Sequence, residues 1–158
     1  MKIINTNVLE REIELWCETY AQEYCKRGAD YITYMAKLSI ENFYNSYEPK
    51  YYIRTDDLRH NSYRYYYKNN GKDFYGGVRI SSFDMQGYKN GCHPFPIAYR
   101  AWQEGYHGSY LGGIPIKTKP PIDILRERMS DQKFLTKLGN YAERKANSLN
   151  YKMLDIKG

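Results

Sequence analysis

The sequence predicts an α+β fold, with N-terminal and C-terminal helices packed on a small antiparallel sheet and long Gly/Pro loops between them. Three observations carry this expectation. Apolar residues recur at steps of three and four over residues 8–46 and again over 122–149, the period of a helix face. Between them, Tyr63, Tyr65 and Tyr67 alternate with Arg64, Tyr66 and Lys68, and an Asn69-Asn70-Gly71 turn signal follows. Two further stretches, 84–96 and 105–119, are broken by Gly and Pro and carry no apolar period. At 158 residues the chain is read as a single domain spanning 1–158.

The elements follow in order. Leu9, Ile13, Trp16, Cys17, Tyr20 and Tyr24 form one helical face, and Ile32, Met35, Ser39 and Phe43 resume it. Asn7 is placed to cap the start, and Glu10 and Glu12 suit the positive end of the helix dipole. Gly28 interrupts the pattern behind Lys26-Arg27, which favours two helices, 8–27 and 30–46, over one rod. Pro49 biases Glu48 toward extended geometry, and 50–61 reads as an irregular connector. A second strand runs from Phe74 to Ser82, with Val78 and Ile80 on one face and Gly76-Gly77 marking a bulge. Ile97–Glu104 is a short strand or helix. Pro120-Pro121 then opens a helix with Ile122, Leu125 and Met129 on one face. Ser130 is the expected cap of a last helix bearing Phe134, Leu135, Leu138, Tyr141, Ala142 and Leu149.

Composition narrows the function. Nineteen Tyr lie within an apolar fraction of 42%. Such a chain has a ring-rich core and surfaces that are dry on one side and wet on the other. Net charge is +6, but residues 1–30 carry six acids against four bases, so the excess lies in the remainder. That excess is spread out rather than clustered, which implies at most weak, sequence-independent nucleic-acid contact. Cys17, Cys25 and Cys92 are three in number, which implies a reducing compartment, and the first two sit about 12 Å apart on a helix, too far for a disulfide. The opening MKIINTNVLE lacks the apolar core of a signal peptide, and no apolar run approaches the ~20 residues of a membrane span. The expectation is a soluble chain made in a cytoplasm, with no membrane partner.

No catalytic or metal constellation is legible. Cys92-His93 are adjacent, while His60 and His107 lie far off, with no CxxC, no HxxxH and no paired carboxylates at ligand spacing. Neither Cys17 nor Cys92 carries a nucleophile signature, and Gly105-Tyr106-His107-Gly108 lacks the Lys-Ser/Thr ending of a phosphate loop. The expectation is no enzyme and no cofactor. Stacking of bases on the tyrosine strand is the rival to protein contact, but the alternation places Tyr63, Tyr65 and Tyr67 on one face and Arg64 and Lys68 on the other. Tyr, Trp and Arg are the residues that dominate protein interfaces. The candidate contact residues are therefore Tyr51, Arg54 and Arg59 in the first connector, and Trp102, Tyr106, His107 and Tyr110 around the second loop. For Trp102 a core position stands open beside the interface one.

The order of these signals resembles the small connector proteins of tailed bacteriophages, of the head–tail joining, tail-completion or minor tail-component type. The matching residues are Pro49, Arg54-Thr55, Leu58 and Ser62, then Val78-Arg79-Ile80, Ala101 to Gly108 with its Trp102, and Pro120-Pro121 with the helix behind. Gly usually follows the Thr in that family, and Asp56 stands there here. The resemblance implies a structural virion subunit, one copy in a ring oligomer at the neck or tail-tube end. Its implied partners are other copies of itself and neighbouring connector or tail-tube proteins, with genomic DNA passing nearby and read without sequence preference. The alternative is a small basic phage or bacterial protein that binds nucleic acid or inhibits a host system by binding.

Overall fold

The computed structural model of the chain describes residues 6–46, 57–81, 98–107 and 116–155. Helix α1, Thr6–Asn45, is a single rod of 40 residues, about 60 Å at 1.5 Å per residue. The two-helix expectation fails at Gly28, which is buried mid-helix; a Cβ there would lie 3.4 Å from Leu138 Cδ2. The helix therefore continues through Gly28 with Leu138 packed beside it, and this tertiary packing overrides the ~1 kcal/mol helix penalty of Gly. The helix also starts ahead of Asn7, so Asn7 lies in its first turn, which holds no acid.

The expected irregular connector contains a short helix at its end, α2, Asp57–Asn61. Strands β1, Tyr63–Asn69, and β2, Phe74–Ile80, form the predicted antiparallel hairpin, and the turn is tied by the Gly71 N–H donating to Asn69 Oδ1 at 2.7 Å. Register pairs Tyr63 with Ile80, Tyr65 with Val78 and Tyr67 with Gly76. These six share the face turned to α1, where Tyr63, Val78 and Ile80 pack against the core. Gly76 and Gly77 sit in register and form no bulge. A Cβ on Gly76 would overlap the Cys25 carbonyl oxygen of α1 and fall 2.9 Å from its carbon, so Gly is what lets the sheet lie flat on the helix.

Ala98–Glu104 is helical, and Arg100–Glu104 within it is a π-helical turn. Gly105 closes the turn at φ 69°, its N–H returning to the Arg100 carbonyl. A Cβ at Gly105 would also meet the Thr118 backbone, 3.0 Å from its carbonyl carbon. The stretch read as loop holds a second small sheet: β3, Tyr106–His107, pairs antiparallel with β4, Ile116–Lys117. Helix α3, Pro121–Met129, begins at the predicted proline. Helix α4, Gln132–Asp155, is capped by Asp131, whose Oδ1 accepts from the Lys133 N–H at 2.9 Å. Ser130, the expected cap, instead closes α3, with its N–H on the Arg126 carbonyl.

The core gathers Ala36, Ile40, Phe43 and Tyr44 of α1, Leu58 of α2, Ala101 and Trp102 of the π-helical turn, and Leu125 of α3. Trp102 is fully buried at its centre. Its Nε1 donates to Ser62 Oγ at 2.7 Å, Ser62 Oγ donates to the Leu58 carbonyl, and Tyr63 meets the indole edge-on at 6.0 Å. Helix α4 runs antiparallel along α1, with Phe134 stacked on Tyr31 at 3.7 Å and Trp16 Nε1 donating to Asn147 Oδ1 at 2.8 Å. The layout is therefore helices with small antiparallel sheets, and α3 and α4 pack chiefly on α1 rather than on the sheet as expected.

Candidate interaction surfaces

Of the seven residues singled out in sequence, Tyr51, Arg54 and Tyr110 lie outside the described residues, and Tyr106 and His107 are described in backbone only, as β3. Trp102 is corrected from contact residue to core residue: it is 0% exposed and its one polar atom is satisfied internally. Arg59 is already engaged on α1. Its guanidinium lies over the Tyr44 ring at 4.6 Å, and Nε is 3.2 Å from Glu41 Oε1. Nε itself makes no hydrogen bond, so its contact with Glu41 is charge to charge. Half-buried there, Arg59 fastens α2 to α1 and offers little to a partner.

Two further surfaces lie along α1, the first of them formed with α4 and not foreseen from the sequence. One is an open groove of about 950 Å³ lined by Arg27, Tyr31 and Tyr34 of α1 and by Lys137, Tyr141 and Arg144 of α4, among others. Its base is the Tyr31–Phe134 stack, and the Arg27 guanidinium sits 5.6 Å from the centre of the Tyr141 ring. The lining holds three bases, Arg27, Lys137 and Arg144, against two acids, Asp30 and Glu143. The other surface is the N-terminal part of α1, about 30 Å further along the same rod. It leaves Leu9 45% and Ile13 53% exposed and bears Glu10, Glu12, Glu14 and Glu18 against Arg11. The sequence signal for the groove was present in Tyr31, Tyr34 and Tyr141, but only the helix pairing brings them together.

The third surface is the outer face of the hairpin, where register places Arg64 opposite Arg79, Tyr66 opposite Gly77 and Lys68 opposite Tyr75. Tyr66 and Tyr75 are 40% and 49% exposed. The separation of rings from bases inferred from the alternation therefore holds for the inner tyrosines and fails here, because Tyr66 and Tyr75 share the face of the three bases.

Titratable groups on the inner side respond to their burial. Burial pushes the Tyr63 hydroxyl above the ordinary tyrosine range, helped by Glu41. Tyr65 moves the same way through burial, then Asp30 and Tyr67. Burial raises the Cys25 thiol, whose Sγ donates to the Phe74 carbonyl at 3.4 Å. Cys25 and Cys17 are both free thiols. Among the described residues, no group of three or more His, Cys, Asp or Glu converges on a metal-sized site, and no helix is long and apolar enough to cross a membrane. Comparison with known protein families, with characterised proteins and with solved structures finds no match to this chain.

Proposed function

We propose that the chain is a structural subunit of a tailed-phage particle, one copy in a ring at the head–tail junction or tail-tube end. It acts by protein–protein contact and without catalysis. The observation that carries this reading is the pair of unlike surfaces on α1 and α4. An acidic helix end with exposed Leu9 and Ile13 stands apart from a ring-lined groove whose three bases, Arg27, Lys137 and Arg144, outnumber its two acids, Asp30 and Glu143. Unlike patches on one chain make heterologous contacts, which close into rings when the rotation allows. Tyr and Arg at such a contact keep the free subunit soluble while supplying contact area and charge-assisted hydrogen bonds. The resemblance of the order of sequence signals to that of phage connectors is what favours this place for the ring.

The test is mass in solution, measured for the chain alone and mixed with the connector and tail-tube proteins of the same particle, together with its presence in purified particles. Ring-sized species and particle incorporation are expected. A chain that stays monomeric in every mixture and is missing from particles refutes the proposal.

A further inference from the structure

Leu9 and Ile13 stand one turn apart on α1 and are 45% and 53% exposed. At about 100° per residue they point within about 40° of one another. Glu12 flanks them on the Leu9 side and Glu10 on the Ile13 side, while Arg11 and Glu18 lie on the far face of the helix. An apolar i, i+4 pair edged by carboxylates is the pattern of a helix that lies in a groove. The groove between α1 and α4 offers the converse. Its base is the Tyr31–Phe134 stack, with Arg27 on the α1 wall and Lys137 and Arg144 on the α4 wall. Asp30 and Glu143 share the lining, yet among the described residues no carboxylate forms an ion pair with any of these three bases. Because α1 is one continuous helix, Leu9 and Tyr31 of a chain are held about 33 Å apart, and a chain cannot seat its own first turns in its own groove.

We infer that the groove receives the first turns of α1, residues 8–13, from a second copy of this chain, with Leu9 and Ile13 on the rings and Glu10 and Glu12 toward the three bases. This rests on the self-association proposed above and names the segment that docks and the seat that takes it. Each copy carries one such helix end and one such groove, so the contact is heterologous and repeats from copy to copy. A nucleic acid fits the groove less well, because its charge at every step also meets Asp30 and Glu143. A helix with two carboxylates beside an apolar centre meets the bases and leaves those acids clear. A basic partner would face three cations that no carboxylate of the described chain neutralises.

Two full-length variants each disable one side of the contact. L9Q/I13Q removes the apolar pair, and K137E/R144E reverses the α4 wall. All four side chains are exposed, so both variants should melt as the parent does. The parent, each variant alone and an equal mixture of the two are followed by analytical ultracentrifugation over a concentration series. The parent should form species larger than a dimer, and each variant alone should associate at least about tenfold more weakly. The mixture should form a one-to-one dimer and nothing larger, because one variant keeps the groove, the other keeps the helix end, and no second contact remains. Glu12→Lys should weaken association of the parent, whereas Glu18→Lys, the same charge change on the far face, should not, and the gap should narrow in high salt. This last pair decides the matter if a double variant melts early. Association unchanged in both double variants, or a mixture as inert as its parts, overturns the inference, and a parent that still forms rings then keeps the ring reading. A parent that stops at a dimer, disrupted by both variants, keeps the inference and overturns the ring. A parent that is monomeric at every concentration, alone and with the connector and tail-tube proteins, overturns both. Loss of K137E/R144E from particles with self-association unchanged gives the groove to another protein and overturns the inference.

Discussion

Replacing Gly76 by Ala tests whether the sheet is seated on α1 as described. The added Cβ would lie 2.9 Å from the Cys25 carbonyl carbon and 3.3 Å from the Ala29 Cβ. Carbon atoms in ordinary contact stand about 3.5–4.0 Å apart, so the strand must retreat by on the order of 1 Å. The atoms in the way belong to the backbone of a helix interior and cannot swing aside. Retreat loosens Val78 and Ile80, which pack on the same core from the same face. Overpacking of this kind costs about 1–3 kcal/mol. In a chain of 158 residues each kcal/mol lowers the Tm by about 2–4 °C, so a fall of roughly 4–8 °C is expected for a mid-range cost. The neighbouring Gly77→Ala is the control, since its Cβ meets nothing within 4 Å and the change removes unfolded-state freedom. It should leave the melt unchanged or raise it slightly. Thermal and urea melts followed by far-UV circular dichroism decide the matter. If Gly76→Ala melts like the parent, or if Gly77→Ala is the more damaging of the two, the described seating of β2 on α1 is wrong.

Ser62→Ala strands the buried Trp102 Nε1 and should cost about 1–3 kcal/mol in urea melts, whereas a change within error would show that the indole finds another partner. Tyr67→Phe should be neutral or slightly stabilising, because the Tyr67 hydroxyl is buried with no hydrogen-bond partner in the structure; a loss above about 1 kcal/mol would reveal a partner for it. Stability should hold at neutral pH and fall in alkali. The raised values of Cys25, Tyr63 and Tyr65 mean that the fold holds these protons more tightly than the unfolded chain does. Their contribution is intact below the ordinary values of about 8.5 and 10 and is lost as pH rises through the higher folded ones. Urea midpoints that keep climbing above pH 10, or a Tyr63→Phe variant with the same alkaline slope as the parent, would contradict this.

Local chemistry was legible wherever one rule decided the outcome. The hairpin register follows from alternation and an Asn-Asn-Gly turn, and α3 begins at Pro121 because Pro suits a first helical position. The errors share a cause, which is that a partner distant in sequence overrode the local signal. Gly28 reads as a helix end until Leu138 arrives against it, and Gly76 reads as a bulge until Cys25 is placed beneath it. Trp102 drew attention as an interface residue because composition does not reveal that Ser62, forty positions earlier, accepts its proton. The groove was invisible for the same reason, since Arg27 and Tyr31 meet Lys137 and Tyr141 only through the α1–α4 pairing. On the hairpin, attention to the three alternating tyrosines obscured Tyr66 and Tyr75, which needed the pairing register before they could be placed with the arginines.

The pairing of the first helix with the last also sets a clock on biosynthesis. Trp16 waits for Asn147, a partner 131 residues later in the chain. At translation rates of about 5–20 residues per second, that interval lasts on the order of 7–26 s. Through most of it, Trp16, Tyr20 and Tyr31 are made but lack the helix that packs on them. Trp16 stacks on Tyr20 at 5.3 Å and Tyr20 on Tyr24 at 6.0 Å, contacts four residues apart that a lone helix can form as it emerges. A stripe of Leu and Ile in the same place would present bare hydrocarbon to other nascent chains for the whole interval. Rings that lean on one another and carry hydroxyls at their tips tolerate the wait in water, so the tyrosine content of α1 suits the order of synthesis as well as the finished fold.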